Sequence, residues 1–161
     1  DRKLRVIQRV ADAAGATGMV GGQAIDLHAA GSSGMTDVDL RQMHAMKTGA
    51  LIRASAVAGA IMVGGSDPVV DATDRFAAEL GLAFQITDDI LDVEATSEQM
   101  GKKTGKDAGL GKPTYVTCFG VERSRQMAAE CVARARSTLQ RAGLTEGYLL
   151  DIAEWVTERT T

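Results

Sequence analysis

The chain has 161 residues, of which 45% are hydrophobic and 24% are charged, so its composition is that of a folded globular protein and excludes an intrinsically disordered chain. A formal net charge of −3 argues against a general nucleic-acid binder or a protein that binds anionic membranes, because both usually carry a basic excess. The sequence also lacks the run of about eighteen apolar residues that a membrane span needs.

The pattern of apolar residues is helical from the start of the chain. Such residues recur at three- and four-residue steps from Leu4 to about Ala30, which predicts a helix. The glycines of Met19–Gln23 predict that this part of the helix lies close to another helix, because glycine lets backbones approach. Gly31–Gly34 predicts a loop.

A second helix is predicted to begin at Thr36, where Thr36 and Asp39 have the spacing of a capping box. It ends near Gly64 and Gly65. A third helix begins at Ser66 or Asp67, has Pro68 in its first turn, and runs to about Val93.

The rest of the chain predicts a polar, glycine-rich loop over residues 100–113 and two further helices, Val121–Ala142 and Thr145–Glu158. No stretch alternates with period two for long enough to indicate a strand. The sequence therefore predicts an all-α fold of five or six long helices. A loop of this length in a compact helical protein usually has a function.

An acidic cluster lies on the third predicted helix. Asp88 and Asp92 share one helix face, while Asp89 lies about 100° around the helix axis, and Gln85 lies on the same side one turn earlier. Their neighbours are strongly apolar, which predicts a buried helix. Ionised carboxylates near a core are costly unless a cation compensates them.

No lysine or arginine occurs between Arg75 and Lys102, so these carboxylates have no cation close in sequence. That indicates a divalent metal, and Mg²⁺ prefers oxygen ligands that it shares with substrate phosphates. The lysines of the glycine-rich loop suit a diphosphate, and they are Lys102, Lys103, Lys106 and Lys112. The alternative is a solvated acidic helix face followed by surface lysines. The apolar setting of the motif favours the metal site.

Lys47 and Thr48 form a second candidate site on the preceding helix. From this segment alone, a surface lysine that lays its stem along apolar side chains is slightly favoured over one that points inward. Cys118 and Cys131 form no CxxC pair, which is typical of reduced, structural thiols in a cytoplasmic protein.

Four segments together resemble the trans-isoprenyl diphosphate synthases. Gly81–Val93 resembles the second aspartate-rich motif of that family, and Met46–Ile52 resembles its Lys-Thr segment. Gly21–Leu27 resembles its GGQxxDL segment, and residues 101–107 with 111–115 resemble its lysine loop. The segments occur in the family's order, and the resemblance is greatest to the bacterial short-chain group, the farnesyl diphosphate synthases or geranyltranstransferases.

The resemblance implies an all-α, isoprenoid-synthase-type bundle around a central cavity, in a homodimeric cytoplasmic enzyme. It implies condensation of an allylic diphosphate (dimethylallyl or geranyl) with isopentenyl diphosphate. Asp88, Asp89 and Asp92 would serve Mg²⁺, with Mn²⁺ as the alternative metal. Lys47, Lys102 and Lys112 would hold the allylic diphosphate.

The resemblance also places Thr48 and Gln85 near the developing allylic cation, as catalytic residues together with Lys47, and places Phe84 in the wall of the hydrocarbon cavity. The family's first aspartate-rich motif and the upstream basic residues for isopentenyl diphosphate have no counterpart here. We therefore expect residues 1–161 to be the C-terminal half of one synthase domain, with the N-terminal half missing, and to be inactive alone.

Two rival functions stay open. One is a class I terpene cyclase that uses the same metal chemistry on a single substrate. The other is a non-catalytic helical subunit of a two-component prenyl synthase, which would bind its partner through an exposed apolar face.

Overall fold

A computed structural model describes residues 1–29, 36–100 and 114–159 of the chain. Within these residues it contains helices and no strand, so the predicted all-α fold is confirmed. The elements in chain order are α1 (Arg2–Ala14), α2 (Met19–Ala29), α3 (Asp37–His44), a π-helical turn (Ala45–Gly49), α4 (Ala50–Met62), α5 (Asp67–Met100), α6 (Tyr115–Phe119), α7 (Val121–Arg141) and α8 (Tyr148–Glu158). None of the described helices is long and apolar enough to cross a membrane.

The first predicted helix is in fact two helices, α1 and α2, and the prediction of one continuous helix is wrong. The backbone is extended at Gly15, directly after α1. A Cβ atom on Gly18 would lie 2.1 Å from the carbonyl oxygen of Ala13, so the turn requires glycine there. The apolar periodicity continues across this turn, and for that reason it did not reveal the break.

The second predicted helix begins and ends where the sequence predicts, but it is not a regular α-helix along its whole length. Thr36 and Asp39 form the predicted capping box, in which Thr36 Oγ1 accepts from the Asp39 amide at 3.2 Å. Gly64 has a φ of 82°, a conformation that L side chains rarely adopt, and it follows the end of α4 as predicted. Between these ends, Ala45–Gly49 forms a π-helical turn, a feature that is frequent at functional sites.

The 34-residue helix α5 lies at the centre of the fold and packs against α4 on one side and α7 on the other. It begins with Pro68 in its first turn, as predicted, but it ends at Met100 and not near Val93. The buried apolar residues that it contributes to the main core follow the helical period, and they are Phe76, Ala77, Leu80, Ala83, Ile86 and Ile90. Burial of each large side chain in this row contributes about 1.5–3 kcal/mol.

The C-terminal helices α7 and α8 cover the other face of α5. The prediction for α7 agrees with the structure to within one residue. Helix α8 begins three residues later than predicted, after Gly147, whose φ is 106°. Ala153 and Val156 bury the inner face of α8 in the core, which fixes the end of this helix beside the middle of α5.

Candidate active site

Lys47 lies on the π-helical turn and is held by a carboxylate from α2. Its Nζ donates to Oδ2 of Asp26 at 2.5 Å, and Asp26 is only 5% exposed. Helix α2 can lie this close because residue 22 is a glycine. A Cβ atom at this position would lie only 2.2 Å from the Lys47 amide nitrogen. The predicted glycine contact is therefore confirmed. The slight preference for a surface-directed Lys47 was wrong, because the ammonium group turns inward to Asp26.

A line of hydrogen bonds joins the π-helical turn to the acidic motif of α5. Thr48 Oγ1 donates to Oε1 of Gln85 at 3.2 Å, and Gln85 Nε2 donates to Oδ1 of Asp89 at 3.3 Å. The two helical elements approach closely at Gly81, where a Cβ atom would lie 3.2 Å from the Gly49 Cα. Thr48, Gln85 and Asp89 therefore belong to one connected group.

Asp89 is buried, and its carboxylate also fixes the start of α6. Its Oδ2 accepts from the Tyr115 amide at 2.7 Å. Burial raises the pKa of Asp89, and the hydrogen bonds from Tyr115 and Gln85 oppose that rise. The neighbouring charges of Asp92 and Asp88 add smaller contributions that raise the pKa further. Asp89 thus faces the interior of the fold.

Asp88 has a different environment from Asp89. It forms an ion pair with Arg159, the first residue after α8, and its side chain is 36% exposed. Arg159 also donates to the Phe84 carbonyl oxygen at 3.1 Å and lies 4.1 Å above the Phe84 ring. Sequence reasoning missed Arg159, because the search for a counter-charge extended only to nearby positions and the two residues are 71 apart.

The three aspartates of the motif are therefore not equivalent. Asp89 points inward, Asp88 is paired with Arg159, and Asp92 is exposed one turn further along α5. The part of the chain that the structure describes contains no group of three or more His, Cys, Asp or Glu side chains arranged to hold a metal ion. A Mg²⁺ ion needs no such group, because it is commonly held by one or two carboxylates together with waters and substrate phosphates.

A cleft of about 710 Å³ opens beside Arg159, between α5, α7 and the end of α8. Its polar wall includes Asp92, Arg125 and Arg159, and its apolar wall includes Ile90 and Leu91. The cleft gives the side chain of Arg159 space to move.

The predicted lysine loop lies outside the described residues. Lys102 and Lys112 fall within residues 101–113, so their predicted contact with a diphosphate stays a prediction. The chain is described again from Thr114, which caps α6 through a hydrogen bond from the Thr117 amide at 3.1 Å. His44 is buried and stacks on Tyr115, with the ring centroids 5.6 Å apart.

Comparison with known proteins gives one consistent result. The family model described as Polyprenyl synthetase matches residues 2–143. A Dimethylallyltranstransferase from Fischerella ambigua (strain UTEX 1903) is 41% identical over 99% of this chain, and the match covers 46% of the relative. The Farnesyl diphosphate synthase of Escherichia coli (strain K12) is 38% identical over 98% of this chain and is covered over 54% of its own length.

Solved structures agree with these sequence matches. The apo crystal structure of an FPP/GFPP synthase from Zymomonas mobilis superposes with a TM-score of 0.81 at 36% sequence identity. The match covers 96% of this chain and 51% of that protein. The chain therefore spans about half the length of the relatives that it matches.

Proposed function

The chain belongs to the polyprenyl synthetase family, and from this premise we propose that it forms part of a prenyltransferase. The enzyme joins an allylic diphosphate, dimethylallyl or geranyl, to isopentenyl diphosphate by ionisation, condensation and loss of a proton, and it releases diphosphate. The hydrogen bonds from Thr48 through Gln85 to Asp89 support this proposal most directly, because they connect two segments that the sequence assigns to one site.

Lys47 is proposed to bind the diphosphate of the allylic substrate. Its ammonium group has three donors, and the ion pair with Asp26 uses one of them while fixing the position of the nitrogen. The remaining donors can meet phosphate oxygens. Lys102 and Lys112, in the segment 101–113, are proposed to add positive charge to the same group.

Asp88 and Asp92 are proposed to hold Mg²⁺, with Mn²⁺ as the alternative. Both carboxylates lie on one face of α5, where Asp92 is exposed and Asp88 is partly exposed, which suits a cation that keeps several waters and shares phosphate oxygens. Asp89 is proposed to act indirectly, through water or by orienting Gln85, because the Tyr115 amide and Gln85 already occupy its oxygens. A bound Mg²⁺ supplies charge that stabilises the departing diphosphate.

Thr48 and Gln85 are proposed to stabilise the allylic cation that forms when the diphosphate leaves. Their side chains are fixed by each other and by Asp89, so their oxygen dipoles need little reorganisation during the reaction. Phe84 precedes Gln85 on α5 and is half-buried, and it is proposed to line the wall beside the hydrocarbon chain.

The wider assembly is proposed from the resemblance of the four segments. The chain supplies the C-terminal half of one synthase domain in a cytoplasmic homodimer, and these 161 residues are inactive without the other half. The match to about half of each relative agrees with a chain that supplies half of one domain.

The test is product analysis with geranyl diphosphate and isopentenyl diphosphate in the presence of Mg²⁺. The 161-residue chain and the product of its whole reading frame are assayed side by side. We expect a longer prenyl diphosphate from the whole reading frame and none from the chain alone. Product formed from geranyl diphosphate without isopentenyl diphosphate would instead indicate a terpene cyclase, and activity that needs a separate protein would indicate the subunit of a two-component synthase.

A further inference from the structure

Arg159 is the cation that contacts the Asp88 carboxylate. Its guanidinium is paired with the Asp88 carboxylate, hydrogen-bonded to the Phe84 carbonyl and stacked on the Phe84 ring, and its side chain is only 9% exposed. One donor, Nε, is buried and has no acceptor among the described residues. The guanidinium is therefore enclosed but incompletely satisfied.

We propose that Arg159 is an internal counter-ion of Asp88 that a divalent metal must displace, so that Arg159 and the metal exclude each other from this carboxylate. The inference rests on the proposed function, because it assumes that Asp88 is a metal ligand. Arg159 lies outside the four motif segments, so the inference adds a residue to the site. It also means that the end of α8 responds to metal binding.

Loss of the arginine's charge cannot free Asp88, so competition by another cation is the route considered near neutral pH. A guanidinium keeps its proton throughout the ordinary pH range, so the ion pair cannot be released by deprotonation. A divalent cation carries twice the charge and competes for the same oxygens. Arg159 already contacts Oδ1 of Asp88, so the guanidinium and a metal ion would compete for this carboxylate.

The local structure allows Arg159 to leave while α8 stays in place. Arg159 follows the last residue of α8 and has extended backbone angles, with φ −65° and ψ 144°. Ala153 and Val156 hold the helix in the core independently of Arg159. The cleft of about 710 Å³ beside Arg159 can take the displaced side chain. Displacement also uncovers one face of the Phe84 ring, so metal binding and exposure of the hydrocarbon wall are coupled.

The test is a titration of the protein with Mn²⁺, with free Mn²⁺ followed by electron paramagnetic resonance. We expect Arg159→Gln to lower the dissociation constant roughly three- to tenfold, since the competing ion pair is partly exposed. Arg159→Lys should lie between Arg159→Gln and the wild type, because lysine keeps the charge but loses the planar fork and the stacking. Arg136→Gln is the control, since Arg136 pairs with Glu154 between α7 and α8, and it should leave the constant unchanged.

A second readout is thermal stability with and without Mg²⁺. Without metal, Arg159→Gln should unfold at a lower temperature than the wild type, and saturating Mg²⁺ should raise its melting temperature by more than it raises that of the wild type. Equal or weaker Mn²⁺ binding by Arg159→Gln would overturn the inference and leave the proposed function standing. Absence of Mn²⁺ binding in both proteins would overturn the metal site and the inference together.

Discussion

Lys47 and Asp26 are 21 residues apart in sequence, yet their side chains form an ion pair of 2.5 Å between the π-helical turn and α2. The Lys47 side chain is 32% exposed to solvent, whereas the Asp26 side chain is 7% exposed. The aspartate is thus the buried member of the pair, and the lysine is the partly exposed one.

Removal of the Asp26 charge should weaken both the fold and the site. We expect Asp26→Asn to lower the free energy of unfolding by about 1–2 kcal/mol, less than for a fully buried pair because Lys47 is partly solvated. Urea denaturation measures this change. Asp67→Asn is the matched control, because Asp67 pairs with Arg5 at 3.4 Å on the surface and should change stability by less than about 0.5 kcal/mol. Equal effects of the two substitutions would mean that the Lys47 pair has no special role.

Gly22 is predicted to be intolerant of any side chain. A Cβ atom there would lie 2.2 Å from the Lys47 amide nitrogen and 2.6 Å from its Cα, and backbone cannot yield as a flexible side chain can. We expect Gly22→Ala to cost about 2–3 kcal/mol of stability by pushing α2 away from the π-helical turn. Gly59→Ala on α4 is the control, because its Cβ would meet nothing within 4 Å and the substitution should stabilise the helix by about 0.5–1 kcal/mol. If both substitutions shifted the melting temperature in the same direction, that result would contradict the close contact between α2 and the π-helical turn.

The two cysteines should differ in reactivity. Burial is the main cause that raises the pKa of the Cys131 thiol from 9.0 to about 11, whereas Cys118 is exposed. At pH 8 a thiol with a pKa of about 11 is ionised in about one molecule in a thousand, against about one in ten for a thiol at the ordinary value of 9.0, and the thiolate is the reactive form. We expect iodoacetamide to modify Cys118 in the native protein and Cys131 only after denaturation, as peptide mass analysis can show. Rapid native labelling of Cys131 would mean that α7 opens readily.

Local signals in the sequence were sufficient for the ends of several helices. Thr36 with Asp39, the glycine at position 64 and Pro68 each act within one turn of chain, so their chemistry can be read without knowledge of the fold. The resemblance to the trans-isoprenyl diphosphate synthases, and no local signal, predicted that Thr48 and Gln85 lie together, and in the structure Thr48 Oγ1 donates to Gln85 Oε1.

Features that depend on packing between distant segments were not predicted. The π-helical turn has no distinctive sequence pattern and coincides with the close approach of α2 at Gly22. The pairing of Asp88 with Arg159 depends on how α8 lies against α5, which periodicity does not specify. The acidic motif has no cation close in sequence, as predicted, but Asp88 has a cationic partner 71 residues away in Arg159.

Asp89 is predicted to act as a structural anchor for the chain that follows residue 113. Its Oδ2 accepts from the Tyr115 amide at 2.7 Å, and both residues are buried. We expect Asp89→Ala to cost about 1–3 kcal/mol, because a buried amide loses its partner. Asp89→Asn should cost much less, since its side-chain oxygen can still accept from Tyr115 and the substitution removes a buried charge. Hydrogen exchange at the Tyr115 amide measures the anchor directly: protection should be lost in Asp89→Ala and kept in Asp89→Asn. Protection that persists in Asp89→Ala would mean that α6 is held by its packing on α7 and not by the carboxylate.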